Sequence, residues 1–120
     1  MFHAKLTFRM PEYADLLKRI DRLAARADSP PADEALLSEI EDVLAEGYMQ
    51  ALTEEARSRR MASRLEQLVQ TLDEPGAALE ARRLAVQRRT LEHQVSTLRS
   101  RLNAVREQFI RLGGGQSAAS

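Results

Sequence analysis

The chain has 120 residues, 18 Lys and Arg against 18 Asp and Glu, no Cys and no Trp. That length suits one small domain, and balanced charge argues against a dedicated nucleic-acid binder. The lack of cysteine excludes a disulfide framework and any thiolate metal site, while 43% apolar residues with only 4% aromatics mark a mainly helical chain.

Residues 1–9 follow a period of two. Phe2, Ala4, Leu6 and Phe8 alternate with His3, Lys5 and Thr7, the pattern of a half-buried strand. No second strand is evident in this chain, so the segment either straps the helices or pairs with the same segment of another copy. Phe2, Leu6 and Phe8 are therefore candidate interface residues. The charges in this stretch break any signal-peptide core. No window holds 18 uninterrupted apolar residues, so a membrane span is not expected. The expectation is a cytoplasmic protein.

Punctuation then marks three helices. Pro11 opens the first, over 11–27, where Leu16, Leu17, Ile20, Leu23, Ala24 and Ala27 form one stripe at 3–4 spacing. Asp28-Ser29-Pro30-Pro31 ends it. Asp33 and Glu34 then lie in the first turn of helix two, where the dipole favours acids. Helix two is expected over 31–72, about 60 Å long. Asp73-Glu74-Pro75-Gly76 makes the next turn, with Pro75 placed to begin helix three over 75–112. Residues 1–112 thus read as one helical-hairpin domain. Residues 113–120, beginning Gly113-Gly114-Gly115, read as a flexible tail.

Both long helices carry heptads. Helix two places Leu37, Leu44, Ala51, Ser58, Leu65 and Leu72 at a, with Ile40, Gly47, Glu54, Met61 and Leu68 at d. Helix three places Ala81, Arg88, Val95, Leu102 and Phe109 at a, with Leu84, Leu91, Leu98, Val105 and Leu112 at d. In an antiparallel hairpin a meets d, and paired residue numbers add to a constant. Leu37 with Leu112, Leu44 with Val105 and Leu65 with Leu84 each add to 149. The midpoint falls inside Asp73-Glu74-Pro75-Gly76, where the chain must reverse. The fold expected is all-α: a short first helix packed on a long antiparallel coiled-coil hairpin, preceded by the strand-like segment. That makes a three-helix bundle at one end and a two-helix arm over about 56–90.

The arm is the feature nearest to function. Leu79 and Val86 fall at f positions and Val69 at an e position, and no third helix remains to cover them. They are the leading candidate interface residues, and a homodimer formed through the arm is the expected partner arrangement.

A search for chemistry finds little. His3 and His93 are the only histidines, Thr90 stands where a helical Glu-x-x-His site would need its glutamate, and no phosphate-binding glycine loop is present. No catalytic residue, cofactor or metal ligand can be assigned, and an enzyme is not expected. Gly47 interrupts helix two at roughly 1 kcal/mol relative to Ala. It is either a small-against-large packing site facing Leu102, a point of close approach by helix one, or a ligand notch with Tyr48 and Ala51.

Charge is segregated. Residues 33–54 carry seven acids and no base, while residues 57–89 carry eight arginines. The arginines could meet phosphates, but Glu55, Glu66, Asp73, Glu74 and Glu80 intervene without interleaved aromatics. Asp73 and Glu74 at the hairpin tip look like the acidic finger tip of transcription factors that enter the secondary channel of RNA polymerase; capping beside Pro75 would account for the same acids. In size and architecture the chain is similar to helical export chaperones, such as those for flagellar subunits. The function expected is a non-enzymatic homo-oligomeric scaffold or adaptor. A partner-binding regulator or export-chaperone-like protein is the alternative.

Overall fold

The computed structural model describes residues 10–28 and 33–113. Residues 1–9, with Phe2, Leu6 and Phe8, lie outside the described residues, as do 29–32 and 114–120. The architecture is all-α: α1 (Met10–Ala27), α2 (Glu34–Gln70) and α3 (Ala77–Arg111), with no strand among the described residues. α2 and α3 form a long antiparallel hairpin, and α1 packs along one end of it. The result is a rod with extents of 63 × 29 × 22 Å.

The two turns are built differently. Asp33 caps α2, its Oδ1 accepting from the backbone N–H of Leu36 at 2.8 Å, which satisfies one donor that the first turn leaves open. The expected start of α3 at Pro75 is corrected. Gly76 is the N-cap, with φ of 82°, and α3 begins at Ala77. No side chain caps α3, so the capping role expected for Asp73 and Glu74 is also corrected. Backbone groups close the turn instead: the N–H of Glu74 donates to Thr71 O and that of Ala77 to Glu74 O. A left-handed residue between proline and helix detaches Pro75 from the first turn, and glycine takes that conformation without a Cβ penalty.

The seam follows the predicted register. A Cβ at Gly47 would lie 2.5 Å from Cδ2 of Leu102, and 47 and 102 add to 149. Ile40, Leu91, Leu98, Leu102 and Val105 are fully buried along it. At the bundle end the buried face of α2 is displaced from the a positions. Leu36 and Val43, both g residues, are buried, whereas Leu37 and Leu44 are half-buried. α1 causes this by covering the g side. Its Leu16, Ile20 and Leu23 join the same core, each fully buried leucine or isoleucine contributing about 1.5–3 kcal/mol.

Ion pairs hold the direction of α1. Arg19 meets Glu46 at 3.1 Å and Arg26 meets Glu39 at 3.4 Å, so α1 runs antiparallel to α2. Arg101 meets Asp21 at 2.5 Å, and Gln108 donates to Ala24 O and Asp28 Oδ1 from the α3 side. The Gly113 N–H donates to Ile110 O with φ of 89°, closing α3 with a left-handed glycine.

Candidate functional site

α1 stops covering the hairpin near a polar layer. Glu54 is only 2% exposed; its Oε2 accepts from Gln50 Nε2 at 2.7 Å, and its Oε1 lies 2.5 Å from Arg57 Nη1. On α3, Gln94 is buried and its backbone carbonyl accepts from the Tyr13 hydroxyl. A buried carboxylate needs such partners, because desolvation opposes its charge. Past this layer the hairpin runs on as a two-helix arm.

The arm has a weak point in its seam. Ser58 is buried, and Arg88, half-buried at an a position, donates from Nε to Ser58 Oγ at 3.2 Å. Arg88 also pairs with Glu92 at 3.1 Å. This layer is hydrogen-bonded but contributes little apolar burial. Met61, Leu68 and Ala77 supply the buried apolar contacts nearer the tip.

Two grooves flank the seam. On the e side, a depression of about 650 Å³ is bordered by Glu55, Ser58, Arg59, Arg88, Glu92 and Arg99. Its charges are largely paired. Arg99 grips Glu55 through two hydrogen bonds of 2.5 and 2.9 Å and stands 5.9 Å from the centre of the Tyr48 ring. The Arg99 guanidinium, first by hydrogen bonding and then by charge, holds the Glu55 carboxyl below its ordinary value against the opposing effect of burial. Glu55 correspondingly raises Arg99. Tyr48 donates its hydroxyl to Asn103 Oδ1. With Leu102 filling the space over Gly47 and Ala51 buried, the expected alternative of a ligand notch there gives way to small-against-large packing.

The second groove, on the g side, continues the track that α1 occupies in the bundle. It measures about 560 Å³, with Met61 and Leu84 at its floor and Arg57, Arg60, Arg64 and Arg83 around it. Arg64 is paired with Glu80, and Arg57 with Glu54. Arg60 and Arg83 have no ion-pair partner among the described residues.

The candidate interface residues are placed as follows. Leu79 and Val86 are 52% and 55% exposed, two turns apart on the back of α3. Val69 is 61% exposed but flanks the seam on α2, so it does not share their face. Two more exposed hydrophobics lie on the outer face of α2 in the bundle: Met49 at 67% and Leu52 at 59%. Reading their f and b heptad positions would have found them, since among the described residues no helix reaches that face. His93 is exposed. Among the described residues no group of His, Cys, Asp or Glu could hold a metal ion, and no helix is long and apolar enough to cross a membrane.

Compared with known proteins, the chain matches no family model, no curated protein and no solved structure.

Proposed function

We infer that the chain is a non-enzymatic, homo-oligomeric coiled-coil scaffold or adaptor of the cytoplasm, acting through protein–protein contacts. The observation that carries this reading is an arm that no described helix covers. Among the described residues, a hairpin covered by α1 at one end runs on as two helices at the other, with Leu79 and Val86 exposed on the back of α3. Apolar surface repeated along one helix face favours association, and a two-fold contact uses each residue twice.

Sedimentation at micromolar concentration tests the reading. Replacing Leu79 and Val86 together by Glu should convert a dimer into a folded monomer. A wild-type chain that is monomeric across that range overturns self-association. A double variant that stays dimeric removes this face from the contact.

A second reading rests on the hairpin tip. Asp73 and Glu74 are exposed and neither caps α3, so helix capping does not account for them. Two acids at the end of a long finger fit presentation to a cationic protein surface. Replacing both by Ala should weaken such a contact while leaving self-association intact.

A further inference from the structure

We propose that the arginine-rimmed groove on the g side of the arm binds an acidic amphipathic helix of another protein, on a continuation of the track that α1 occupies in the bundle. This goes beyond the self-association proposed above and does not depend on it, because Leu79 and Val86 lie on the back of α3 and not in the groove.

α1 shows what the track accepts. Its Leu16, Ile20 and Leu23 enter the core, while Arg19, Arg22 and Arg26 line its boundary with α2. There Arg19 pairs with Glu46 and Arg26 with Glu39, both at c positions of α2. On the opposite edge Asp21 pairs with Arg101 of α3. The helix on this track is therefore basic toward α2 and acidic toward α3.

In the arm the α2 edge changes sign. Two heptads after Glu46 the c position is Arg60, and Arg57 and Arg64 at g positions border the same groove. The α3 edge stays basic, with Arg83. Glu80 is the one acid lining the groove, and Arg64 engages it. Arg57 is engaged by Glu54, whereas Arg60 and Arg83 have no ion-pair partner among the described residues. Met61 and the half-buried Leu84 form the floor, and arginine stems extend that apolar surface.

The occupant that satisfies this groove is a helix with an apolar stripe and acids on both edges. From Arg57 to Thr71 the track rises about 21 Å, or about four turns. A phosphate backbone would use the arginines and leave the apolar floor unused, whereas an amphipathic helix laid in a groove uses both.

The sign change supplies the probe. A synthetic peptide of the 18 residues of α1, carrying Arg19→Glu, Arg22→Glu and Arg26→Glu, keeps the apolar stripe and is acidic on both edges. It should bind the full chain by fluorescence anisotropy with a Kd of about 10–100 μM, since so short a helix must fold as it binds. The unaltered α1 peptide should bind at least about tenfold more weakly. Arg60→Glu with Arg83→Glu changes exposed side chains, should remain helical by circular dichroism, and should abolish the preference for the acidic peptide. The chain with Leu79→Glu and Val86→Glu should bind the acidic peptide as wild type does, whatever its oligomeric state. Equal binding of the two peptides, or a preference that survives in the Arg60→Glu, Arg83→Glu chain, overturns the assignment. Loss of binding in the Leu79→Glu, Val86→Glu chain moves the contact to the back of α3 and overturns it too. A single-stranded RNA that binds more tightly than the acidic peptide assigns the arginines to phosphate instead. Binding that appears only when residues 1–9 are deleted shows that the groove is filled within the chain, and the proposal falls.

Discussion

Leu102 occupies the space that a side chain at Gly47 would need. A Cβ at position 47 would lie 2.5 Å from Cδ2, 3.0 Å from Cδ1 and 3.2 Å from Cγ of Leu102, and Leu102 is fully buried. The mid-helix glycine is thus a packing device that lets α2 and α3 approach where a leucine crosses between them. Gly47→Ala sets two effects against each other. The helix gains roughly 1 kcal/mol, while forcing the leucine aside in a full core costs about 1–3 kcal/mol. A net loss of about 1 kcal/mol is expected in urea unfolding. In a Leu102→Ala background the clash is gone, so the same change should become stabilising by about 1 kcal/mol. A loss of equal size in both backgrounds would show that Leu102 is not the obstacle.

The pairing of Gly47 with Leu102 was legible because two heptads and one turn over-determine the register. The displacement of burial from Leu37 and Leu44 toward Leu36 and Val43 was not legible. It depends on which side of the hairpin α1 covers, and nothing local to α2 encodes that choice. The cap at Asp33 was recognisable as an acid at a helix start. The start of α3 was misplaced because a proline at the first helical position and a proline preceding a left-handed glycine read alike. For the candidate site, heptad positions alone place Leu79 and Val86 on the outer side of α3. The g-side groove appears only when α1 is seen to end beside Glu54.

The two turns should respond oppositely to loss of their acids. Asp33→Ala removes the acceptor for the Leu36 N–H and should cost about 1 kcal/mol. Asp73→Ala and Glu74→Ala should each fall within about 0.5 kcal/mol of wild type, as exposed positions without a cap do. Gly76→Ala should cost about 1 kcal/mol, because φ of 82° burdens any residue with a Cβ. Chemical denaturation of the four variants checks this. An Asp73→Ala loss as large as that of Asp33→Ala would restore a capping role at the tip.

Glu54 and Arg57 should behave asymmetrically when one partner is removed. The Glu54 side chain is 3% exposed and that of Arg57 15%, so losing the arginine strands a carboxylate in the interior. Arg57→Met should cost about 3 kcal/mol, near the lower end for breaking a buried pair. Glu54→Met removes the buried charge and leaves an arginine able to reach water, so it should cost less or stabilise. Equal losses in thermal and urea unfolding would mean that Arg57 acts by packing its aliphatic stem and not by charge.

Acid should weaken the chain partly through Glu55. Its carboxyl is held below the ordinary value by the Arg99 hydrogen bonds and charge, with Arg59 adding a smaller attraction. A carboxylate whose folded value is depressed binds fewer protons folded than unfolded in the interval between the two values. Its stabilisation is therefore fully present above the unfolded value of about 4.3 and is lost as pH falls through the folded value. Arg99, raised by the same contact, stays protonated throughout and adds no slope. Both side chains are about one-third exposed, so solvent screens the pair and the increment should be no more than about 1 kcal/mol. Glu55→Gln should lower stability by that amount at pH 7 and by progressively less below about pH 4.3, the two proteins converging in strong acid. Salt at 1 M should shrink the difference at pH 7. A gap between the two melting curves that holds constant from neutral pH into acid would assign the loss to packing over Tyr48 instead of charge.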